Sequence, residues 1–293
     1  MVLHKTANVD GLSVFYREAG KADSPKLVLL GGFPASSHQF RNLIPALAER
    51  FHVLSPDYPG FGNTDMPDPK NFPYTFDRLS EIIEGLLKKT GFTRAGYYMQ
   101  DYGGPVGFRI LGRQPDWMEW LILQNTNAYE EGFTAAWDGL RHALWKNRGP
   151  EAEAGLMPLL ELDGIKLVYQ HGHAKPELIS PDNWQMDFRF MERPNARRVQ
   201  LDLFYDYRTN VALYPKWQDS PAPQASHSDL LGTERHLLHS RGRRGVPARS
   251  AERGVASLEL GTLRGRRLSW TNRRRHSALL RAEGFGASLG RDM

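Results

Sequence analysis

Met99-Gln100-Asp101-Tyr102-Gly103-Gly104-Pro105 is the stretch on which the reading of this chain turns. The segment TRAGYYMQ (93–100) has strand character and runs straight into Asp101. Two glycines and a proline then open the helical stretch VGFRILGRQ (106–114). A tight strand-to-helix turn lifts one side chain above a sheet, and it needs small residues because the strand end and the helix start pass close together. Asp101 occupies the raised position here. Met99 stands where a small residue would suit the turn, so the fit is imperfect.

The surrounding pattern supplies the sheet. LSVFYRE (Leu12–Glu18) alternates apolar and polar side chains, as a half-buried strand does. KLVLL (Lys26–Leu30) and HVLSPD (His52–Asp57) are short apolar runs that end in Gly- and Pro-rich turns, as buried parallel strands do. From Thr75 the positions Phe76, Leu79, Ile82, Ile83, Leu86 and Leu87 keep helical spacing, and Gly91 is placed as a C-cap. EWLILQN (119–125) is a further strand. Strands alternating with helices predict a mostly parallel sheet covered on both faces, with ligands at the carboxyl ends of its strands. Gly31–Pro34 and Asp101 both fall at that edge.

Composition narrows the class. With 40% apolar residues the 293-residue chain can build a real core, as one large α/β domain or as a core with an inserted lid. No apolar run reaches the ~18–20 residues of a membrane span, and MVLHKTANVDG lacks a signal-peptide apolar region. The absence of cysteine excludes a disulfide framework, a thiolate zinc site and a cysteine nucleophile. These features point to a cytoplasmic protein with no membrane partner.

Three segments together resemble the α/β-hydrolase superfamily, in its epoxide hydrolase and haloalkane dehalogenase branch. They are LLGGFPASSHQFRNLIPAL (29–47), SPDYPGFGNTDMPD (55–68) and YMQDYGGPVGFRI (98–110), in family-like order and spacing. The resemblance implies an α/β-hydrolase core over residues 1–127. It makes Asp101 the nucleophile and the backbone N–H groups of Phe33 and Tyr102 the oxyanion hole. The family usually has His before the glycine of the first loop; Gly31 stands there, which predicts a less preorganised hole. Gln124 replaces an acid that some dehalogenases carry after the preceding strand.

The chemistry agrees. A carboxylate with an ordinary pKa near ~3.9 is ionised at neutral pH and attacks carbon without a base. Hydrolysing the resulting ester does need a base and oxyanion stabilisation. The competing structural role for Asp101 is a cap on the following helix. Asp57 and Asp65 are read as turn-shaping residues.

Residues 128–216 are rich in aromatics and read as helices and loops, resembling the family's helical cap. Epoxide opening needs a proton donor, and cap tyrosines serve that role in the resembling family. Tyr205, Tyr207 and Tyr129 are the candidates, with Tyr169 and Tyr214 behind them; each can equally be a packing aromatic. No metal and no cofactor is expected, and the partners are a small-molecule substrate and water. An epoxide is the favoured substrate. Dehalogenases often hold halide with a Trp just after the nucleophile, where this chain has Tyr102.

The resemblance stops at Gln218. Residues 219–293 hold fourteen Arg, no Lys and seven acids, a net charge of +7, whereas residues 1–218 sum to −2. They contain no Ile and no Tyr, and neither of the two remaining strands of the family, with its acid and its His, is visible. SHSDLLGTERHLLHSRG (226–242) can be encoded by codons that read PTLICWGPNDIFFTPAG one base later, a buried strand followed by Asn-Asp. Gly261-Thr262-Leu263-Arg264 can likewise hide Gly-His-Phe-Ala, and Ser269–Ala278 can hide a terminal helix, RGRIAAAIRR. Residues 217–293 are therefore read as an out-of-frame, poorly ordered tail, with the final strands of the sheet missing. None of the visible histidines inherits the base role, and His171-Gly172-His173 is too short a pattern for a metal site. Arg-driven nucleic-acid binding is the alternative for the tail, disfavoured by the lack of interleaved aromatics. The chain as written is expected to form an ester at Asp101 without turning it over. A catalytically dead remnant or a binding protein with a basic tail is the reading from a different class.

Overall fold

The computed structural model describes residues 1–219 together with the backbone of the short strand Val255–Ala256. Its core elements are β1 (Val2–Val9), β2 (Leu12–Ala19), β3 (Lys26–Leu30), α1 (Leu43–Leu47), β4 (His52–Pro56), α2 (Phe76–Thr90), β5 (Ala95–Gln100), α3 (Gly103–Arg113) and β6 (Met118–Gln124). The strand order is β1-β2-β4-β3-β5-β6, and β1, β2 and β4 pair antiparallel. From β4 through β3 and β5 to β6 the pairing is parallel. The sheet is thus mixed, antiparallel at one edge and parallel from β4 to β6.

Alternation along the central strands sorts the core onto two faces. Val28, Leu30, Tyr97 and Met99 pack with the inward face of α2 and with α3. Leu27, Leu29 and Tyr98 turn the other way, onto Phe40, Ile44 and Phe51. Phe76, Leu79, Ile82, Ile83, Leu86 and Leu87 of α2 are all fully buried. Each such side chain contributes about 1.5–3 kcal/mol by leaving water. Thr75 caps the start of α2 by accepting the Arg78 N–H, and Gly91 ends it in the left-handed conformation at φ 75°.

After β6 the chain runs through short 3-10 turns and a π-helical segment, Gly139–Leu144, into α4 (Pro150–Ala154) and α5 (Leu162–Gln170). Then come α6 (Asp182–Met191), α7 (Ala196–Asp206) and α8 (Arg208–Gln218). Arg109 pins α8 to the core. It donates to Asp77, Thr209 and Asn210 while its guanidinium lies over the Phe76 and Trp217 rings. A second tie joins α6 to the turn after β3, where Arg41 donates to Asp182 and Asn183.

The sequence reading has the final strands of the sheet missing, and one short pairing is found beyond β6. Val255–Ala256, here β7, pairs in parallel with Leu121 and Ile122 of β6. The expected tail disorder and the out-of-frame segments otherwise fall outside the described residues. Among the described residues no helix is long and apolar enough to cross a membrane.

Candidate active site

The turn at Asp101 is built by two close approaches. A Cβ on Gly103 would lie 2.2 Å from the Leu30 carbonyl oxygen, and one on Gly104 would lie 1.8 Å from Thr126 Oγ1. Asp101 itself sits at φ 50°, a left-handed conformation uncommon for a residue with a side chain. Thr126 Oγ1 donates to the Asp101 carbonyl at 2.8 Å, fastening the turn to the segment after β6. The imperfect position 99 is resolved on α3. The buried Met99 side chain lies against Gly107, where a Cβ would stand 2.3 Å from its terminal methyl.

Two backbone donors converge on the raised carboxylate. Phe33 N–H donates to Asp101 Oδ1 at 2.8 Å, and Tyr102 N–H donates to the same oxygen at 2.7 Å. Phe33 arrives from the turn after β3 and Tyr102 from the start of α3, so strands β3 and β5 aim them at one point. Gly32 leaves room for this, since a Cβ there would lie 2.1 Å from Asp101 Oδ1. Burial pushes the Asp101 carboxyl up to about 6, against the opposing pull of these two N–H bonds.

The loop carrying Phe33 is held from behind. Tyr58 hydroxyl donates to the Gly31 carbonyl at 2.8 Å. The side-chain space missing at Gly31 is not empty, because a Cβ there would lie 1.7 Å from Gln39 Nε2. Gln39 thus fills the space beside Gly31, the position from which the sequence reading expects a less preorganised hole. Asp57 accepts the N–H groups of Ser37 and Asn63, and Asp65 accepts that of Ser13; both act on turns. Gln124 accepts from the Tyr98 hydroxyl.

Above Asp101 stands an aromatic box. The Tyr102 ring meets Phe33, Phe61, Phe76 and Tyr207. Tyr207 also contacts Phe133, Trp137 and Trp145. Of the three candidate donors, only Tyr207 is buried in this box; burial, with Tyr214 and the Asp101 carboxylate nearby, holds its hydroxyl well above its ordinary value. Tyr205 lies instead under Arg208, 3.5 Å from its ring centroid, with Arg148 at 5.0 Å. Tyr129 is partly buried, and desolvation, with Glu131 adding to it, raises its hydroxyl. Tyr169 donates to the buried Asp187 on α6. Phe133, Trp137 and Trp145 were within reach of sequence reasoning only as part of an aromatic-rich stretch, and Thr126 carries no signal that singles it out.

The histidines with described side-chain partners are engaged elsewhere. His4 meets Arg17, His38 meets Asp182, His52 meets Glu18 and His142 meets Asp138. No cluster of three or more His, Asp or Glu able to hold a metal is found among the described residues.

A mixed sheet with a strand-turn-helix aspartate facing two backbone donors defines an α/β-hydrolase. The family model for the alpha/beta hydrolase fold matches residues 25–148. An uncharacterised hydrolase of Saccharomyces cerevisiae is 41% identical over 219 residues, which are 73% of this chain and 74% of the yeast protein. A haloalkane dehalogenase of Bradyrhizobium diazoefficiens is 34% identical over 119 residues, 41% of this chain and 37% of that protein. A soluble epoxide hydrolase of Corynebacterium sp. is 33% identical over 124 residues, 42% of this chain and 41% of that protein. The chain belongs to the α/β-hydrolase family, a family of enzymes, and its relatives are hydrolases.

Proposed function

We propose that this chain attacks a small epoxide through Asp101 to form an alkyl-enzyme ester. The observation that carries the reading is the pair of N–H groups on Asp101 Oδ1, which leaves Oδ2 free to attack. In that step a bond forms between Oδ2 and an epoxide carbon, the carbon–oxygen bond of the ring breaks, and its electron pair passes to the epoxide oxygen. That oxygen takes the Tyr207 hydroxyl proton. In the complete reaction a base would take a proton from water as it adds to the ester carbonyl, the oxyanion would rest on the Phe33 and Tyr102 N–H groups, and collapse would release the diol, regenerate the carboxylate and return a proton to Tyr207. This chain stops at the ester.

A dehalogenase is the second reading, since both kinds of enzyme occur among the relatives. Tyr102 in place of an indole donor beside the nucleophile favours the epoxide. In our reading residues 128–216 form the cap, and residues 217–293 arise from a change of reading frame near residues 218–226. The frame change removes the water-activating His and its acid, so the ester accumulates. A catalytically dead remnant differs from this reading by forming no ester.

Intact-mass spectrometry after incubation with styrene oxide tests the proposal. One covalent adduct on the peptide containing Asp101, absent from Asp101→Asn, is expected, without sustained diol release. No adduct on folded protein overturns the ester, and steady diol production overturns the block. Resequencing the DNA that encodes residues 217–242 tests the frame change, which fails if no frame contains the hidden strand.

A further inference from the structure

A groove of about 340 Å³ opens on the helical layer, lined by Arg141, His142, Trp145, Lys146, Arg208 and Val211. Its cations are held by rings and carbonyls more than by acids. Arg208 lies 3.5 Å from the Tyr205 ring centroid and donates to the Tyr205 carbonyl at 2.6 Å. Arg141 stacks 4.8 Å from the Phe133 centroid, with Glu130 at 3.4 Å on the rim. A guanidinium held flat on a ring keeps N–H edges available, and Arg matches the planar fork of a carboxylate. The floor is equally fixed, since the Trp145 indole N–H donates to the Phe204 carbonyl at 2.8 Å.

The acids near this groove leave two of its cations without an ion pair among the described residues. Asp138 pairs with His142 and Glu130 with Arg141. Asp206 faces Arg208 but accepts the Phe76 N–H. Neither Lys146 nor Arg208 forms an ion pair among the described residues. The π-helical segment carrying Arg141 and His142 is an irregular winding of a kind found often at functional sites. Trp145 also stacks on Tyr207, with centroids 6.1 Å apart and planes 8° from parallel, which joins the groove to the aromatic box.

We propose that this groove is an anion-binding site for a small organic carboxylate, whose charge meets Lys146 and Arg208 and whose apolar body lies on Trp145. The binding itself is independent of the reaction proposed above. Only the anion's role rests on that reading: either the acid group of the electrophile itself or a separate ligand felt through Trp145 and Tyr207.

The test titrates benzoate into the purified full chain by calorimetry at constant ionic strength, with benzamide as the uncharged counterpart. Saturable one-to-one binding of benzoate, none of benzamide, and at least tenfold weaker binding by Lys146→Gln/Arg208→Gln are expected. Equal binding by a folded double variant, or no saturation by the wild-type chain, overturns the site. The comparison removes anion binding by the Arg-rich residues after Asp219, which both proteins share. If the double variant does not fold, Lys146→Glu alone, with the same tenfold loss expected, replaces it. Asp101→Asn retains benzoate binding, so a missing epoxide adduct would sink the hydrolase reading and leave the groove standing. Alkylation by glycidate and glycidamide then separates the sources. Slowing by the double variant with glycidate alone makes the anion the substrate's own carboxylate, and unchanged rates make it a separate ligand.

Discussion

The Met99 side chain occupies the space that Gly107 leaves open on α3, so the bulky residue at the strand end and the glycine one helical turn beyond Gly103 form a matched pair. Gly107→Ala gains about 0.5–1 kcal/mol of helix propensity, but it forces a buried methyl into the Met99 thioether at a typical cost of about 1–3 kcal/mol. Net destabilisation is expected. Met99→Ala alone should cost about 2–5 kcal/mol through the cavity it leaves. Chemical denaturation of both single variants and the double variant should give less than the sum of the two losses. Simple additivity would show that the pair is not coupled.

In the proposed reaction Asp101 attacks only as the carboxylate. With its carboxyl raised to about 6, the rate of adduct formation should climb through pH 5–7 with a midpoint near 6. A stopped-time mass-spectrometric profile checks this, and a midpoint near 4 would show that burial does not govern the group. Folding follows the opposite trend. A folded carboxyl raised above its unfolded value contributes stability in acid, lost as pH rises from about 4 to about 6.

Asp187 gives a second, separable titration. Buried on α6 beside the Tyr169 hydroxyl, its carboxyl is raised to about 7, chiefly by desolvation. Its contribution to stability should therefore fall as pH rises from about 4 to about 7. Asp187→Asn should flatten the thermal midpoint across pH 5–8 while leaving the pH profile of the Asp101 adduct in place. An unchanged slope in the variant would assign the pH dependence elsewhere.

Gly32→Ala tests whether the first loop must approach the nucleophile so closely. Its methyl would lie 2.1 Å from Asp101 Oδ1, displacing the carboxylate from the Phe33 N–H. Misplacing a reacting group by about 1 Å can cost about 10² in rate. Adduct formation should fall by about that much in a variant that still unfolds cooperatively, and a near-normal rate would mean that the two N–H groups do not position the carboxylate for attack.

Arg109→Met removes the pin between α3 and α8. Charged hydrogen bonds of this kind contribute about 1.5–3 kcal/mol, and the buried Asn210 acceptor is left unpaired. A loss of about 2–4 kcal/mol in urea unfolding is expected. A change under 0.5 kcal/mol, the ordinary surface range of about ±0.5, would place the anchorage of α8 in its apolar contacts alone.

Much of this was legible beforehand where one physical pattern dominates. KLVLL is buried on both faces and stops at two glycines, and β3 spans those same five residues. The six apolar positions of α2 share one face, and Gly91 closes the helix. β1 was not foreseen, because VLHKTANV is largely exposed and owes its pairing to the neighbouring β2. The Asp101 turn could be read from its glycines, whereas the accommodation of Met99 by Gly107 depends on a contact across two elements. Composition could nominate three tyrosines but not rank them. Only packing shows Tyr207 inside the aromatic box and Tyr205 flattened beneath Arg208.

The two donors facing Asp101 leave neighbouring strands whose register sets Leu30 opposite Met99. Their spacing is therefore inherited from the ladder of the sheet, with no part taken by the later helices. A slip of one residue between β3 and β5 would turn one donor to the opposite face. Asp101 and both backbone donors facing it are encoded before Ala128, whereas Tyr207 arrives only with the later helices. The turn and the ring above it can consequently diverge as separate inheritances: later portions of the gene can be recut or swapped while the sheet edge keeps its shape.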